Sequence, residues 1–141
     1  MFPTVQSSAI DGIAWSILGQ TYTPLQRGES CMAWHADFPD GTFVPPHIHH
    51  AQDEFLYILS GVIEVETAKG MLTAGAGAVV SLPRGAFHGL FNRSGAGATC
   101  LFWVTPAASL WDLFVAIDGV PDPGEVVRLA ALHGITFLPP G

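Results

Sequence analysis

Hydrophobic residues occur along most of the chain in short runs, and in several runs they alternate with polar residues. Alternation at every second position is typical of a strand with one buried face. Turn-forming residues separate the runs, most clearly at 39–41, 60–61 and 93–95. The pattern predicts an all-β sandwich or barrel made from these segments: IAWSILGQ, SCMAWHADF, FVPPHIHH, EFLYILS, VIEVET, MLTAGAGAVVSL, FHGLFNRS and TCLFWVT.

The periodicity becomes helical after Pro106. Ser109 with Asp112 three residues later resembles a capping box, and Asp122 followed by Pro123 marks a second helix start. The apolar stripes of the two predicted helices are Leu110, Leu113, Phe114 and Ile117, then Val126, Leu129, Ala130 and His133. A short strand in ITFLPPG closes the chain.

Length and composition favour one domain, because 141 residues with 49% hydrophobic content can bury one core but not two. We expect a single domain over 1–141, with the barrel core at about 13–105 and the helical segment at about 107–141. No apolar run approaches the roughly 20 residues that cross a bilayer. Together with the missing signal-peptide pattern, this predicts a cytoplasmic protein without a membrane partner.

The formal charge of −7 excludes one class of partner, since an acidic surface repels nucleic acid. Cys31 and Cys100 have no C-x-x-C spacing and are expected to be small apolar residues rather than a redox pair.

Three of the six histidines lie between Pro45 and Glu54. In a strand, His47 and His49 share one face and His50 takes the other. A corner before Glu54 would bring its carboxylate to the two imidazoles, which makes a 2-His-1-carboxylate set for Fe, Mn, Ni, Co or Zn. The best candidate for a fourth ligand is His88 in LPRGAFHGLFN.

Two spaced motifs resemble those of the cupin superfamily. The first runs from Gly41 through His47, His49 and Glu54 to Gly61, and the second contains Gly77, Pro83, Gly85, His88 and Asn92. The resemblance implies a double-stranded β-helix, or jelly-roll, barrel with one divalent transition metal held by His47, His49, Glu54 and His88. The segments after the barrel are similar to single-domain cupins of the type 2, quercetin-dioxygenase-like kind.

Three imidazole nitrogens and one carboxylate leave positions on a divalent ion open to substrate or O2, whereas closed zinc sites are rich in Cys. We therefore expect a metal-dependent dioxygenase for a small apolar or aromatic enol or catechol. Glu54 either remains a ligand or acts as the general base. The alternatives are a metal-dependent isomerase, epimerase or decarboxylase, and a binding protein without turnover.

Residues that share a strand face with the ligands are expected to line an apolar cavity: Phe43, Pro45, Leu56, Ile58, Ala86 and Leu90. Arg84 either meets a substrate carboxylate or lies in an exposed turn. His50 is expected at the surface or behind a ligand, and His35 either lines a cavity or faces solvent. The sequence leaves these alternatives open.

Assembly and the predicted helices give two further expectations. The barrel strands carry more apolar positions than one interior needs, which predicts a homodimer through an outer face with Val62, Ile63, Val65, Phe91 and Phe102. The helices either close the barrel mouth over the metal or cover the outside of a sheet.

Overall fold

The computed structural model describes residues 2–139, and in this range eleven strands and two α-helices follow a short 3₁₀ turn. The strands are β1 (Trp15–Ile17), β2 (Gln20–Arg27), β3 (Met32–Phe38), β4 (Phe43–His49), β5 (Asp53–Ser60), β6 (Val62–Thr67), β7 (Gly70–Gly75), β8 (Val79–Leu82), β9 (His88–Phe91), β10 (Ala98–Thr105) and β11 (Ile135–Phe137). The helices are α1 (Leu110–Ile117) and α2 (Pro123–Ala131).

Two antiparallel sheets form the jelly roll that the sequence predicts. One sheet has six strands in the order β1-β2-β3-β10-β5-β8, and the other has five in the order β11-β4-β9-β6-β7. Several neighbours in the sheets are distant in the chain, as in β10 between β3 and β5. The inward side chains of both sheets join one hydrophobic cluster. The core therefore lies between the sheets.

Strand β10 shows how alternation produces this layer. Ala98, Cys100, Phe102 and Val104 are buried, whereas the residues between them are half-buried on the outer face. Both cysteines are free, as the sequence indicates. The alternating residues of TCLFWVT thus place one apolar row in the core and a second row on the outside of the sheet.

Two parts of the strand pattern differ from the sequence prediction. β2 was not predicted, because its inward positions include Gln20 and Pro24, which interrupt the apolar alternation; pairing with β3 shifts between Pro24 and Gln26. The segment MLTAGAGAVVSL is two strands in different sheets, β7 and β8. Gly77, at φ +88°, makes the turn between them.

Both predicted helices are present, and their stripes face inward. Leu110, Leu113, Phe114 and Ile117 are buried on α1, and Val126 and Ala130 on α2. Asp122 caps α2 by accepting a hydrogen bond from the Gly124 N–H at 3.1 Å. The prediction of a capping box at Ser109 was wrong. The Ser109 hydroxyl makes no hydrogen bond to the first turn of α1 and lies 3.0 Å from Nδ1 of His133 instead. Within residues 2–139, no helix has the length and hydrophobicity to span a bilayer.

The outer face that the sequence assigns to a dimer contact is different in the structure. Ile63, Val65 and Phe102 belong to the interior, with at most 2% of their surface exposed. The half-buried apolar row on the outside of the six-stranded sheet includes Phe55 and Trp103, whose rings stack at 5.4 Å. The homodimer itself stays a prediction, now assigned to this second face.

Candidate metal centre

Three strands supply the four candidate ligands. β4 carries His47 and His49, β9 carries His88, and β5 carries Glu54. His47 pairs directly with His88 across the antiparallel β4–β9 ladder, and their ring centroids are 4.4 Å apart. Since β5 belongs to the other sheet, Glu54 reaches the imidazoles from the opposite wall of the barrel.

The four side chains form one buried group. Each offers one ligand atom, and these atoms all lie within 4.8 Å of one another. Oε2 of Glu54 is 2.8 Å from Nε2 of His49 and 4.0 Å from Nε2 of His88. The structure thus brings together the set that the sequence predicts.

Hydrogen bonds orient two of the imidazoles. Nδ1 of His47 lies 2.7 Å from the carbonyl oxygen of Pro45, which can only accept, so this nitrogen carries the proton. Nδ1 of His49 lies 2.9 Å from Oε1 of Gln52. In both rings Nε2 is left to face the group.

The electrostatics of the group favour an ionised carboxylate on Glu54, a neutral His47 and a proton shared between His49 and Glu54. Burial disfavours an ionised Glu54, but the charge and hydrogen bond of His49 outweigh it and hold the Glu54 pKa at about 2. Burial and the neighbouring imidazoles lower the pKa of His47 to about 3. Burial alone would lower the pKa of His49, yet Glu54 raises it above its ordinary value.

This donor set fits a divalent metal ion. Both ring nitrogens of His88 are buried and have no hydrogen-bond partner among the described residues. An orphaned buried imidazole is costly, and a buried carboxylate beside three imidazoles is more so, unless a cation lies among them. The residues could hold one metal through His47, His49, Glu54 and His88, which suggests a metal cofactor without identifying the element.

A cavity of about 60 Å³, here called the inner cavity, adjoins the group. His47, His49 and Glu54 line one part of it, and most of the remaining wall is apolar, including Trp34, Phe102 and Phe114. The inner cavity thus has room for a small molecule beside the candidate metal position.

The two helices form part of the cavity wall. Four residues of α1 and two of α2 line it: Leu110, Leu113, Phe114, Ile117, Val126 and Ala130. We call α1, α2 and the linker that precedes them (residues 106–131) the cap. Of the two positions expected for these helices, the structure has the one over the barrel mouth.

Five of the six residues expected in the cavity are elsewhere. Leu56 and Ile58 are fully buried in the core between the sheets and do not line the cavity. Phe43 is 49% exposed, and together with Pro45 it lines a separate outer groove. Neither Pro45 nor Pro46 has an N–H to donate to the β4–β9 ladder, and the register of this ladder shifts between Val44 and His47. Val44 is therefore the residue that faces inward. Ala86 is exposed in the turn before β9. Leu90, in contrast, lines the cavity as predicted.

The three residues for which the sequence leaves two environments open lie outside the group of candidate ligands. Arg84 is exposed and pairs with Asp53, its Nη2 lying 3.2 Å from Oδ2, which supports the turn interpretation. His50 is exposed, and its Nε2 lies 2.9 Å from the hydroxyl of Thr136. His35 is half-buried on the outer face of β3.

Sequence reasoning missed Gln52 and two aromatic residues of the cavity wall. Gln52 is 4% exposed and contacts both His49 and the cap. Trp34 and Tyr22 point inward from β3 and β2. Alternation in SCMAWHADF could have placed Trp34 inside, but no local pattern distinguishes Gln52 from an ordinary turn residue.

Solved structures of low sequence identity share the fold. They include a sugar phosphate isomerase from a cupin superfamily of Silicibacter pomeroyi DSS-3 (TM-score 0.59, 23% identity, 64% of this chain and 61% of that chain). KdgF from Halomonas sp. is similar with a TM-score of 0.62 and 18% identity over 74% of this chain and 94% of that one. The polyketide cyclase RemF from Streptomyces resistomycificus has a TM-score of 0.63 and 17% identity over 74% and 79%.

No curated protein sequence matches the chain at a significant level. The model of one family, described as the cupin domain, matches residues 34–105. This stretch contains all four candidate ligands and extends over half of the chain. The protein therefore belongs to the cupin family.

Proposed function

We propose that this cupin is a metal-dependent dioxygenase of the quercetin-dioxygenase-like kind. Its substrate would be a small apolar or aromatic enol or catechol. One observation carries the proposal: a buried group of three histidines and one glutamate opens onto a small apolar cavity that the cap covers. Such a site suits a reaction in which an apolar molecule meets O2 away from bulk water.

A divalent first-row metal held by these residues would supply Lewis acidity and, if it is redox-active, electron exchange with O2. In the dioxygenase reaction one carbon–carbon bond of the substrate is cleaved and both oxygen atoms enter the product. The substrate supplies all the electrons, so the reaction requires no further reductant.

Glu54 is the candidate catalytic residue as well as a candidate ligand. Its low pKa keeps the carboxylate ionised at neutral pH, and the side chain is 4% exposed. An ionised carboxylate in the wall of the inner cavity can accept the hydroxyl proton of an enol or catechol.

The cavity wall supports a neutral substrate with a hydrogen-bond acceptor. Among the described residues that line it there is no Lys or Arg, which disfavours phosphates and carboxylates. Nε1 of Trp34 is buried without a hydrogen-bond partner in the described chain. An oxygen of the substrate would satisfy this N–H, whereas the Tyr22 hydroxyl already donates to Oε1 of Gln20 at 2.8 Å.

A metal-dependent isomerase, epimerase or decarboxylase is the second candidate, because one similar structure is a sugar phosphate isomerase. In that case the metal polarises a carbonyl group and no O2 is consumed. The apolar wall described above favours the dioxygenase over an enzyme for phosphorylated sugars.

Elemental analysis and oxygen uptake test the proposal. The purified protein is analysed for Fe, Mn, Ni, Co and Zn, and catechol, acetylacetone and quercetin are screened with an oxygen electrode. We expect uptake with one of the two small probes and incorporation of both atoms of ¹⁸O2 into the product. Conversion of a probe without oxygen uptake would support the second candidate, and binding without conversion would indicate a cupin that only binds its ligand.

A further inference from the structure

Gln52 connects a candidate metal ligand to the cap. Its Oε1 lies 2.9 Å from Nδ1 of His49, and its Nε2 donates to the carbonyl oxygens of Pro106 at 3.1 Å and Ala107 at 2.6 Å. The side chain is 4% exposed. One amide therefore joins the end of β4 to the first residues of the cap.

The two carbonyl groups fix the orientation of this amide. A carbonyl oxygen only accepts hydrogen bonds, so the NH2 group of Gln52 must face Pro106 and Ala107 and the amide oxygen must face His49. That oxygen accepts, so Nδ1 of His49 must carry a proton. The lone pair of the neutral ring is then on Nε2, the atom that faces Glu54 and the rest of the group.

The carbonyl groups belong to the segment that places α1 over the inner cavity. Ala107 is followed after two residues by Leu110, the first residue of α1, which lines the cavity with Leu113. A second tether comes from the Ala107 N–H, which donates to the carbonyl of Glu29 at 3.1 Å. If the segment leaves, the Gln52 amide loses the partners that fix its orientation.

We propose that Gln52 is a positioning residue that couples docking of the cap to metal binding at His49. A docked cap orients the amide, the amide selects the His49 tautomer with a free Nε2, and that tautomer binds the metal. Coupling of this kind is reciprocal, so the bound metal stabilises the docked cap by the same free energy. The coupling depends on metal binding and does not depend on the dioxygenase reaction.

A purely structural role would be that Gln52 only satisfies two buried carbonyl groups. That role predicts a less stable protein when Gln52 is replaced, but no effect of the metal on the cap through this residue. The two accounts therefore differ in how metal binding and cap mobility depend on each other.

Two substitutions separate the two halves of the amide. Gln52→Glu keeps an acceptor for Nδ1 of His49 and removes both donors to the cap. Gln52→Met has similar length and removes the acceptor as well as the donors. Ser109→Ala is the matched control, because it loosens the cap at the contact between Ser109 and His133 without touching His49.

The experiment uses the full chain, Co(II) as the probe and no substrate. Co(II) affinity is measured by spectroscopic titration, and backbone hydrogen exchange of residues 106–117 is measured with and without saturating Co(II). In the unmodified protein we expect Co(II) to slow this exchange more than that of the β6–β7 hairpin. In Ser109→Ala the same slowing persists, although the cap exchanges faster in both states.

For Gln52→Glu we expect Co(II) affinity within about threefold of the unmodified protein, a change well below that of removing a hydrogen bond behind a metal ligand. In this variant Co(II) should no longer slow the exchange of residues 106–117. For Gln52→Met we expect affinity to fall about 10- to 100-fold. If Co(II) does not change the hydrogen exchange of residues 106–117 in the unmodified protein, the proposal is overturned. This outcome does not require any variant to fold. Unaltered Co(II) affinity in Gln52→Met would also overturn it.

Discussion

Nε2 of His49 lies 2.8 Å from Oε2 of Glu54, inside a barrel where both side chains are about 95% buried. At this distance two lone pairs repel each other, so a cation has to lie between or beside them. In the metal-free protein that cation is a proton, which accounts for the raised pKa of His49 and the lowered pKa of Glu54. A metal ion bound by the group would take the place of this proton.

The first prediction concerns the ligands. His47→Ala and His49→Ala should each remove most of the bound metal, because each removes one of four donors, while the barrel stays folded. Metal content by elemental analysis and folding by circular dichroism check this. His50→Ala is the control, since His50 is next to His49 but exposed, and it should retain the metal. Unchanged metal content in both ligand variants would contradict the assignment.

The second prediction concerns the cap. Phe114→Ala should lower the free energy of unfolding by about 3–5 kcal/mol, as expected for a buried aromatic residue. It should also open the inner cavity to water, so that part of the O2 is reduced to H2O2 by two-electron oxidation of the substrate and more O2 is consumed than dioxygenated product formed. Thermal unfolding and the ratio of O2 to product measure both effects. Val115→Ala is the control, because Val115 is on the same helix and 55% exposed.

Loss of stability in Phe114→Ala with an unaltered O2-to-product ratio would show that the cap only covers the barrel.

The third prediction concerns the unpaired N–H of Trp34. Trp34→Phe keeps the aromatic stacking on Phe102, whose ring centroid is 5.3 Å away, but removes the donor. We expect the KM for the accepted probe to rise by about threefold to tenfold, the range of one neutral hydrogen bond. Thermal stability should fall only modestly, because the loss of buried ring volume is offset in part by the removal of an unsatisfied buried donor.

Trp103→Phe, on the outer face of β10, provides the control and should leave KM unaltered. A KM in Trp34→Phe equal to that of the unmodified protein would show that the substrate accepts no hydrogen bond from Trp34.

The fourth prediction concerns assembly. The half-buried apolar row with Phe55, Leu101 and Trp103 should join two copies, and light scattering should give about twice the 14.9 kDa of one chain. Leu101→Glu should produce the monomer, because a charge in an apolar contact is desolvated without a partner. Leu72→Glu on the other sheet is the control. A monomer at micromolar concentration in the unmodified protein would reject the dimer.

The sequence predicts that His47 and His49 share one face because strand periodicity is local. His47 and His49 are two positions apart, so any extended backbone places them on one face. Burial of the α1 stripe could be predicted for the same reason, since residues at helical spacing share a side. These features depend on the period of one element rather than on the position of another.

Features that depend on distant partners were missed. The register shift after Val44 depends on how two consecutive prolines meet β9, and it moved Phe43 and Pro45 out of the cavity. The role of Gln52 depends on carbonyl groups more than 50 residues away in the chain. A single sequence gives the chemistry of such a residue but not its neighbours.

The short strand β11 has a consequence for aggregation. It pairs with β4 at the candidate ligands themselves, Ile135 opposite His49 and Phe137 opposite His47. Without it, β4 would present an unpaired backbone edge, and exposed edges of this kind recruit strands from other molecules. Three residues near the end of the described chain therefore keep the histidine strand from acting as a template for intermolecular β-sheet.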